Sequence, residues 1–127
     1  MSFDFEPSRG LIIVPTELTG PIGSAVVCLP LDTGATTTLV NVNLLVAVGC
    51  EPALATEQVE VTTGSGMEFP PRVTLSKVAA LGQTRLAFSV LALTLLPTAD
   101  IDGLLGLDFF RGQVLSIDFR NGQLVVS

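Results

Sequence analysis

The sequence predicts an all-β protein with one or two short helices, and three observations support this fold class. Apolar runs rich in β-branched residues recur along the chain, turn signals separate them at intervals of roughly a dozen residues, and only one stretch has clear helical spacing. The chain of 127 residues is 48% hydrophobic and 14% charged, so it can bury one core and is not expected to be disordered. Residues 1–127 are expected to form a single domain.

Two hydrophobic runs near the N-terminus predict the first hairpin. Residues 11–18 are expected to form a strand, residues 19–21 turn the chain, and residues 24–31 return as a second strand that ends at Asp32. Residues 1–10 begin with alternating phenylalanine and polar side chains. They are expected to form either an edge strand that pairs across a dimer or a disordered arm.

The next segment predicts a short strand followed by a helix. Residues 36–40 are β-rich, and residues 41–48 have apolar side chains at helical spacing. Asn41 can cap the N-terminus of this helix, and Gly49 can end it.

The middle of the chain predicts a hairpin and a long strand. Residues 58–63 alternate like a strand, residues 64–66 (Gly-Ser-Gly) form its tip, and residues 68–78 return with an interruption at Pro70 and Pro71. Residues 81–84 are a turn, and residues 85–95 are expected to form a long strand.

The C-terminal segment predicts a short helix and a second hairpin. Residues 100–103 are a turn, and residues 107–111 can form a short helix. Residues 114–119 and 123–126 are β-rich and flank Asn121-Gly122, which is the strongest local hairpin signal in the sequence.

The composition excludes several function classes. Histidine is absent, which excludes Ser-His and Cys-His nucleophiles and most catalytic zinc sites, and no metal or cofactor is expected. The net charge of −6 and the pI near 4.3 disfavour nucleic-acid binding, which needs clustered Lys and Arg. Cys28 and Cys50 are expected to be buried or half-buried thiols, with a disulfide as the open alternative.

No segment predicts secretion or membrane insertion. The longest apolar stretches, residues 24–31 and 86–96, are shorter than the roughly 20 residues that span a bilayer. The N-terminus lacks the basic and apolar regions of a signal peptide. We therefore expect a soluble chain with a cytoplasmic or undetermined location and no membrane partner.

The triplet Asp32-Thr33-Gly34 points to a chemical function. A lone Asp-Thr-Gly is a weak signal because Asp and Gly are common in structural turns. Here an apolar strand ends directly at Asp32, which places the carboxylate on a rigid element, and Gly34 lets the backbone turn sharply. Hydrolysis by carboxylates needs one acid and one base close together. Because the triplet occurs once, the sequence predicts a C₂ homodimer with one Asp32 from each subunit.

Two segments together resemble a known family. Residues 31–36 (Leu-Asp-Thr-Gly-Ala-Thr) resemble the active-site signature of retropepsins, the retroviral-type aspartic proteases, and of their bacterial and eukaryotic relatives. Residues 102–110 (Asp-Gly-Leu-Leu-Gly-Leu-Asp-Phe-Phe) resemble that family's second motif, which packs behind the catalytic loop and precedes a short helix. The resemblance covers residues 11–126.

The resemblance implies a closed-barrel-like acid protease fold with one lobe per chain. Asp32 would be the catalytic acid/base, and Thr33 would form hydrogen bonds across the dimer beneath the aspartates. In viral members an Arg often follows the second motif's glycine and helps to hold the dimer, whereas Leu107 and Asp108 stand here. The remaining implied positions are Gly34 and Ala35 in the active-site loop, Leu104, Leu105 and Gly106 behind it, and Thr63, Gly64, Ser65, Gly66 and Met67 in the flap over the peptide.

Two functions from different classes fit these features. The first is a homodimeric aspartic endopeptidase in which the two Asp32 carboxylates activate water against a peptide bound in an extended conformation. The alternative is a non-catalytic retropepsin-fold dimer that binds or scaffolds peptides. The intact Asp-Thr-Gly favours the first function, since a pure binding module has no need for paired carboxylates.

Three further features have simpler interpretations. Asp100 and Asp102 suggest a calcium loop, but Arg111 stands where the closing Glu of an EF-hand would be, so a turn is favoured. Residues 64–66 are not followed by the Gly-Lys of a phosphate loop, so a hairpin tip is favoured. Three aromatic side chains are expected in the core or in a dimer interface: Phe109, Phe110 and Phe119.

Overall fold

The computed structural model describes residues 1–55, 58, 61–63, 66–68, 70–95 and 100–127. Strands dominate these residues, so the all-β prediction is confirmed. One α-helix, α1, spans Val42–Ala47, and two 3₁₀ segments span Pro52–Leu54 and Leu107–Phe110. In chain order the strands are β1 (Ser2–Asp4), β2 (Ile13–Gly20), β3 (Gly23–Pro30), β4 (Leu39–Asn41), β5 (Val61–Thr63), β6 (Gly66–Glu68), β7 (Arg72–Ala80), β8 (Gln83–Leu93), β9 (Gly103–Leu104), β10 (Leu115–Asp118) and β11 (Gln123–Val126).

Six strands form one nearly closed, barrel-like sheet in the order β3-β2-β7-β8-β4-β9. Neighbouring strands are antiparallel except β4 and β8, which run parallel. Alternate residues of the long strands face the core, such as Val14, Thr16 and Leu18 in β2. The Thr16 hydroxyl is buried and donates a hydrogen bond to the Val14 carbonyl at 3.1 Å. The core therefore contains no unsatisfied hydroxyl at this position.

The first strand of the first hairpin, β2, ends two residues later than the sequence predicted. Gly20 pairs with Gly23, so Pro21 and Ile22 alone form the turn. A Cβ at Gly20 would lie 2.3 Å from the Val48 carbonyl oxygen, which also accepts a hydrogen bond from the Ile22 amide at 3.1 Å. Contact with the end of α1 fixes the position of this turn, and such a contact is not visible in the local sequence.

The turn between β7 and β8 is also tighter than predicted. Ala80 pairs with Gln83, so Leu81 and Gly82 form the whole turn. Their φ angles of 52° and 71° are typical of a type I′ hairpin turn. Leucine rarely adopts this conformation, and here its side chain packs against the core. The predicted strand at residues 85–95 therefore starts earlier and ends at Leu93.

The helix prediction for residues 41–48 is confirmed. The Asn41 side chain accepts a hydrogen bond from the Asn43 amide at 3.1 Å, as expected for an N-cap. Leu45 and Val48 are fully buried. Gly49 follows the helix with a φ of 94°, a conformation that glycine adopts without steric cost.

The predicted C-terminal hairpin is present as β10 and β11, joined through Asn121 and Gly122. β1 pairs with the other edge of β11 and completes a three-stranded sheet in the order β1-β11-β10. The N-terminal segment therefore contains an edge strand, which was one of the two alternatives that we expected, and this strand pairs with β11 of its own chain. The Met1 ammonium group donates to the Val126 carbonyl at 3.2 Å, which ties the first residue to the last strand.

The structure describes the two strands of the middle hairpin but not its tip. β5 and β6 pair antiparallel, with Thr63 opposite Gly66. Gly64 and Ser65, at its predicted tip, lie outside the described residues. Pro70 and Pro71 separate β6 from β7, because proline cannot donate a ladder hydrogen bond. The predicted strand at residues 68–78 is therefore two strands.

The two cysteines differ in exposure and form no disulfide. Cys50 is buried, as expected. Cys28 is exposed on β3, so the prediction of a buried or half-buried thiol is wrong for it. Its backbone faces Pro15 of β2, and its side chain lies on the outer side of the sheet. Among the described residues, no helix is long and apolar enough to cross a membrane.

Candidate active site

Asp32 lies where the end of β3 meets the segment after β9. The Leu31 amide donates to the Ile12 carbonyl at 2.8 Å, and the Asp32 amide donates to the Leu105 carbonyl at 2.9 Å. Leu31 and Leu105 form a parallel bridge. The Asp32 backbone is thus held on both sides, which is the rigid placement that the sequence predicted.

The carboxylate of Asp32 is half-exposed and is oriented by its own loop. Its Oδ1 atom accepts a hydrogen bond from the Gly34 amide at 2.8 Å, and its backbone carbonyl accepts one from the Ala35 amide at 3.1 Å. Within the described part of the chain, no group donates to Oδ2. One oxygen is therefore fixed, and the other is open to water, a substrate or a second carboxylate.

The segment of Leu104, Leu105 and Gly106 lies directly behind this loop. Leu104 pairs with Leu39 in the sheet, and Leu105 is fully buried. The position of Gly106 accepts only glycine without movement of the loop. An added Cβ would lie 2.8 Å from the Thr37 carbonyl carbon and 2.9 Å from the Ala35 oxygen. The two predicted motifs are thus in direct contact.

Thr38 and Asp108 join the two motifs through side chains. The Asp108 carboxylate accepts hydrogen bonds from the Thr38 amide, at 3.1 Å to each oxygen, and from the Thr38 hydroxyl at 2.7 Å. The same hydroxyl oxygen accepts a hydrogen bond from the Gly106 amide at 3.1 Å. Thr38 is completely buried. This pair was not predicted from the sequence, although a charged residue directly after an apolar Gly-Leu pair and a run of three threonines were available as signals.

Asp102 also has a structural partner. Its Oδ2 atom accepts a hydrogen bond from the Cys28 amide at 2.8 Å on the outer edge of β3, and its carbonyl accepts one from the Asn41 amide at 2.8 Å. These contacts agree with the turn that we favoured over a calcium loop. Among the described residues, no group of three or more Cys, Asp or Glu side chains could hold a metal ion.

An apolar recess of about 230 Å³ lies beside the active-site loop. Leu31 and Thr33 line it from the loop, and Ile117 and Phe119 line it from the end of β10. Phe119 is 68% exposed, with its ring edge-on to that of Phe5 and the centroids 6.1 Å apart. Thr33 is exposed, and its hydroxyl has no hydrogen-bond partner within the described residues.

Two of the three aromatic residues that were expected in the core or in a dimer interface lie in the core. Phe109 and Phe110 are buried in the core, as expected. The guanidinium of Arg85 lies 5.6 Å from the Phe109 ring centroid, and its Nε donates to the Phe109 carbonyl at 3.0 Å. This Arg therefore connects β8 to the 3₁₀ segment behind the active-site loop.

The predicted flap residues lie in the β5–β6 hairpin. Thr63, Gly66 and Met67 are in its two strands, while Gly64 and Ser65 lie outside the described residues. The hairpin follows α1 and precedes β7 in the chain, in the order expected from the sequence.

Comparisons with known proteins found one matching family and a similar solved structure. Residues 18–112, more than half of the chain, match the family described as "gag-polyprotein putative aspartyl protease". The crystal structure of a retropepsin-like aspartic protease from Rickettsia conorii is similar, with a TM-score of 0.73. The two sequences are 16% identical, and the match covers 99% of this chain and 88% of that chain, so the likeness shows the fold alone. No curated protein matches the sequence.

Proposed function

Because this chain belongs to the retropepsin-like aspartic protease family, we propose that it is a homodimeric aspartic endopeptidase with one Asp32 from each subunit in its active site. One observation carries the proposal. Asp32 stands at the end of a rigid strand. The Gly34 amide fixes its Oδ1 atom, and none of the described residues donates to Oδ2. A carboxylate in this position is held in one orientation and has a second oxygen available for chemistry.

The proposed dimer follows from the chemistry that a carboxylate pair must perform. The sequence holds Asp-Thr-Gly once, so a second copy of the chain would supply the second carboxylate. Two carboxylates about 3 Å apart cannot both ionise easily, so the pair keeps one shared proton. One Asp32 is then the base and its copy is the acid.

In the proposed reaction, the ionised carboxylate takes a proton from a water molecule, and the water oxygen forms a bond to the scissile carbonyl carbon. The protonated carboxyl donates its proton to the carbonyl oxygen, which gives a neutral gem-diol. The C–N bond then breaks as the amide nitrogen takes up a proton, and one hydroxyl of the gem-diol returns a proton to the pair. The products are a carboxylic acid and an amine, and the pair is restored.

Several contacts support a preorganised site of this kind. The Gly34 amide donates to Asp32, and the buried Thr38–Asp108 pair holds the backbone of the same loop. The exposed Thr33 hydroxyl has no partner within the described residues, which suits the hydrogen bonds across the dimer that the family resemblance implies. Such prepositioning lowers the reorganisation needed in the transition state.

Substrate would bind as an extended strand between the two subunits, covered by the β5–β6 hairpins. Backbone hydrogen bonds from these hairpins would hold the peptide, and apolar side chains near the cleft would favour hydrophobic residues beside the scissile bond.

A peptide-library digestion, read by mass spectrometry between mildly acid and neutral pH, tests the proposal. We expect cleavage by the wild type and a loss of at least about 100-fold in kcat/KM for Asp32→Asn, since general acid–base catalysis contributes that much. Asp4→Asn, an exposed carboxylate on β1, is the matched control and should retain activity. If the Asp32→Asn protein cleaves as well as the wild type, the endopeptidase proposal fails. Tight binding of uncleaved extended peptides by the wild type would instead support the binding-module alternative.

A further inference from the structure

The ladder between β7 and β8 is distorted at one place. The register is the same on both sides of Ser76 and Ala87, but the ladder skips these two residues. Ala87 has a φ of 48°, which is uncommon for a residue other than glycine. Backbone strain of this kind persists only where the surrounding structure maintains it, so neighbouring contacts must hold Ala87 in this conformation.

The distortion changes which side chains of β8 face the core. In a regular strand, residues three apart face opposite sides of the sheet. Here Arg85 and Phe88 both contact the ring of Phe109. The Phe88 ring lies edge-on to it with the centroids 5.9 Å apart, and the guanidinium carbon of Arg85 lies 5.6 Å from its centroid. The cross-strand partners of these two residues, Val78 and Leu75, are likewise both fully buried. The distortion at Ala87 thus brings the Arg85 guanidinium to the 3₁₀ segment Leu107–Phe110.

Arg85 binds the carbonyl groups at the C-terminal end of this 3₁₀ segment. The last carbonyls of a helical segment have no partner within it. The Arg85 Nε donates to the Phe109 carbonyl at 3.0 Å, and its Nη2 donates to the Arg111 carbonyl at 3.3 Å. The carbonyl between them, that of Phe110, accepts the Gln113 amide at 3.0 Å. Because Phe109 is fully buried, loss of the guanidinium would leave an acceptor unpaired beside the core.

The N-terminal end of the same segment holds the active-site loop. The Leu107 amide donates to the Ala35 carbonyl at 2.8 Å, and the Ala35 amide donates to the Asp32 carbonyl at 3.1 Å. The segment is only four residues long, so Phe109, which Arg85 binds, lies two residues after Leu107. A continuous set of contacts therefore runs from the Arg85 guanidinium through the segment to the backbone of Asp32.

We propose that Arg85 is a positioning residue of the active site, held against the 3₁₀ segment by the strained backbone at Ala87. This inference rests on the proposed function, because it assigns Arg85 a role in the reaction of Asp32. The guanidinium fixes the segment from behind, the segment fixes the Ala35 carbonyl, and the loop then presents the Asp32 carboxylate in one orientation. Arg85 itself does not contact the substrate.

Steady-state kinetics of Arg85→Met tests this role. We expect kcat to fall at least about 10-fold with KM within about twofold of the wild type, because misplacement of a catalytic group slows the chemical step without weakening substrate binding. Val48→Ala, at the buried end of α1, is the control for loss of stability alone, and it should retain the wild-type kcat at a temperature where both variants are folded. A wild-type kcat for folded Arg85→Met overturns the positioning role.

A pair of substitutions at Ala87 tests the part played by the strained backbone. Ala87→Gly should keep the wild-type kcat, because glycine adopts a positive φ without steric cost. Ala87→Val should reproduce the loss in kcat seen for Arg85→Met, because a β-branched residue disfavours this conformation and turns Arg85 away from the segment. Circular dichroism checks that each variant is folded. Equal kcat values for the two folded Ala87 variants would contradict the link between the distortion and Arg85.

Amide hydrogen exchange tests the same path without relying on cleavage. The Leu107 and Gly34 amides donate to the Ala35 carbonyl and to Asp32 Oδ1. Both should exchange at least about fivefold faster in Arg85→Met than in Val48→Ala, because local opening depends on local contacts. Equal exchange in these two variants would show that Arg85 does not hold the loop.

The two proposals can fail separately. If Asp32→Asn abolishes cleavage while Arg85→Met retains the wild-type kcat, the endopeptidase proposal stands and the role of Arg85 is overturned. If the wild type cleaves no peptide but the Leu107 and Gly34 amides exchange faster in Arg85→Met, Arg85 positions the loop and the endopeptidase proposal fails.

Discussion

The carboxylate of Asp108 accepts hydrogen bonds from both the backbone amide and the hydroxyl of Thr38, a residue 70 positions earlier in the chain. The Thr38 hydroxyl oxygen in turn accepts a hydrogen bond from the Gly106 amide. Through this chain of contacts, the second motif helps to fix the path of the loop that follows Asp32. The pair therefore makes a structural contribution that can be separated from the chemistry of Asp32 itself.

We expect Asp108→Ala to lower the free energy of unfolding by about 1–3 kcal/mol, because a buried hydroxyl and amide lose their acceptor. Asp108→Asn should lose less, since one acceptor oxygen remains. Urea denaturation of both variants measures the difference, with Asp4→Ala on exposed β1 as the control. Equal stability of Asp108→Ala and wild type would show that the Thr38 groups find other partners.

Gly106→Ala should impair peptide cleavage more than it impairs folding. Its Cβ would meet backbone atoms of residues 35 and 37 at 2.8–2.9 Å, so the loop that carries Asp32 must move, and small displacements of catalytic groups are costly. Gly23→Ala is the matched control, because no atom lies within 4 Å of the position that its added methyl group would take. The ratio of kcat/KM between the two variants measures the effect, and a ratio near one would count against it.

The Arg85 side chain should be sensitive even to a conservative change. Its Nε donates to the Phe109 carbonyl at 3.0 Å and its Nη2 to the Arg111 carbonyl at 3.3 Å. Arg85→Lys keeps the charge but cannot reproduce this fork, so we expect a loss of about 1–2 kcal/mol in the free energy of unfolding. Thermal unfolding checks this, and Arg120→Lys in the exposed β10–β11 turn should have no measurable effect.

The β10–β11 turn should weaken in acid. The Asn121 backbone amide, its side-chain amide and the Arg120 amide hold the pKa of Asp118 below its usual value. A carboxyl with a lowered folded-state pKa contributes stability above its unfolded pKa of about 3.9, and the contribution is lost as the pH falls through the folded value. The stability difference between wild type and Asp118→Ala should therefore narrow below about pH 4. An NMR titration of Asp118 checks the direction, and a pKa above that of a reference peptide would contradict it.

The two thiols should react at very different rates. Burial raises the pKa of the Cys50 thiol, and the thiolate is the reactive form. Cys28 is exposed and should react with a thiol reagent within minutes under native conditions. Labelling of the Cys28→Ser variant isolates Cys50, which should react only as the protein unfolds. Rapid native labelling of that variant would be inconsistent with the buried site.

Local patterns in the sequence predicted most of the elements that depend on local chemistry. The Asn41 cap, the Asn121-Gly122 hairpin and the strand that ends at Asp32 all agree with the structure. Two hairpin turns were misplaced because contacts distant in sequence set them, as with Gly20 against Val48.

The sequence predicted the two motifs of the candidate site but not the hydrogen bonds that connect them. The apolar run before Asp32 predicted that this residue follows a strand, whereas the place of Gly106 behind the loop was implied by the family resemblance. Neither can show that the Asp108 side chain crosses to Thr38, because that contact depends on how β4 and the 3₁₀ segment pack together. The in-chain pairing of β1 was missed for the same reason, since an edge strand carries no signal that names its partner.

The pairing of β1 with β11 has a consequence for the order in which the protein folds. The Met1 ammonium and the Val126 carbonyl are separated by 125 residues, so this contact closes a loop of nearly the whole chain. Such non-local pairings form late. β1 cannot pair before β11 is available, and β10 gains its neighbour β11 at the same stage. The terminal sheet would therefore be completed only in the last stage of folding.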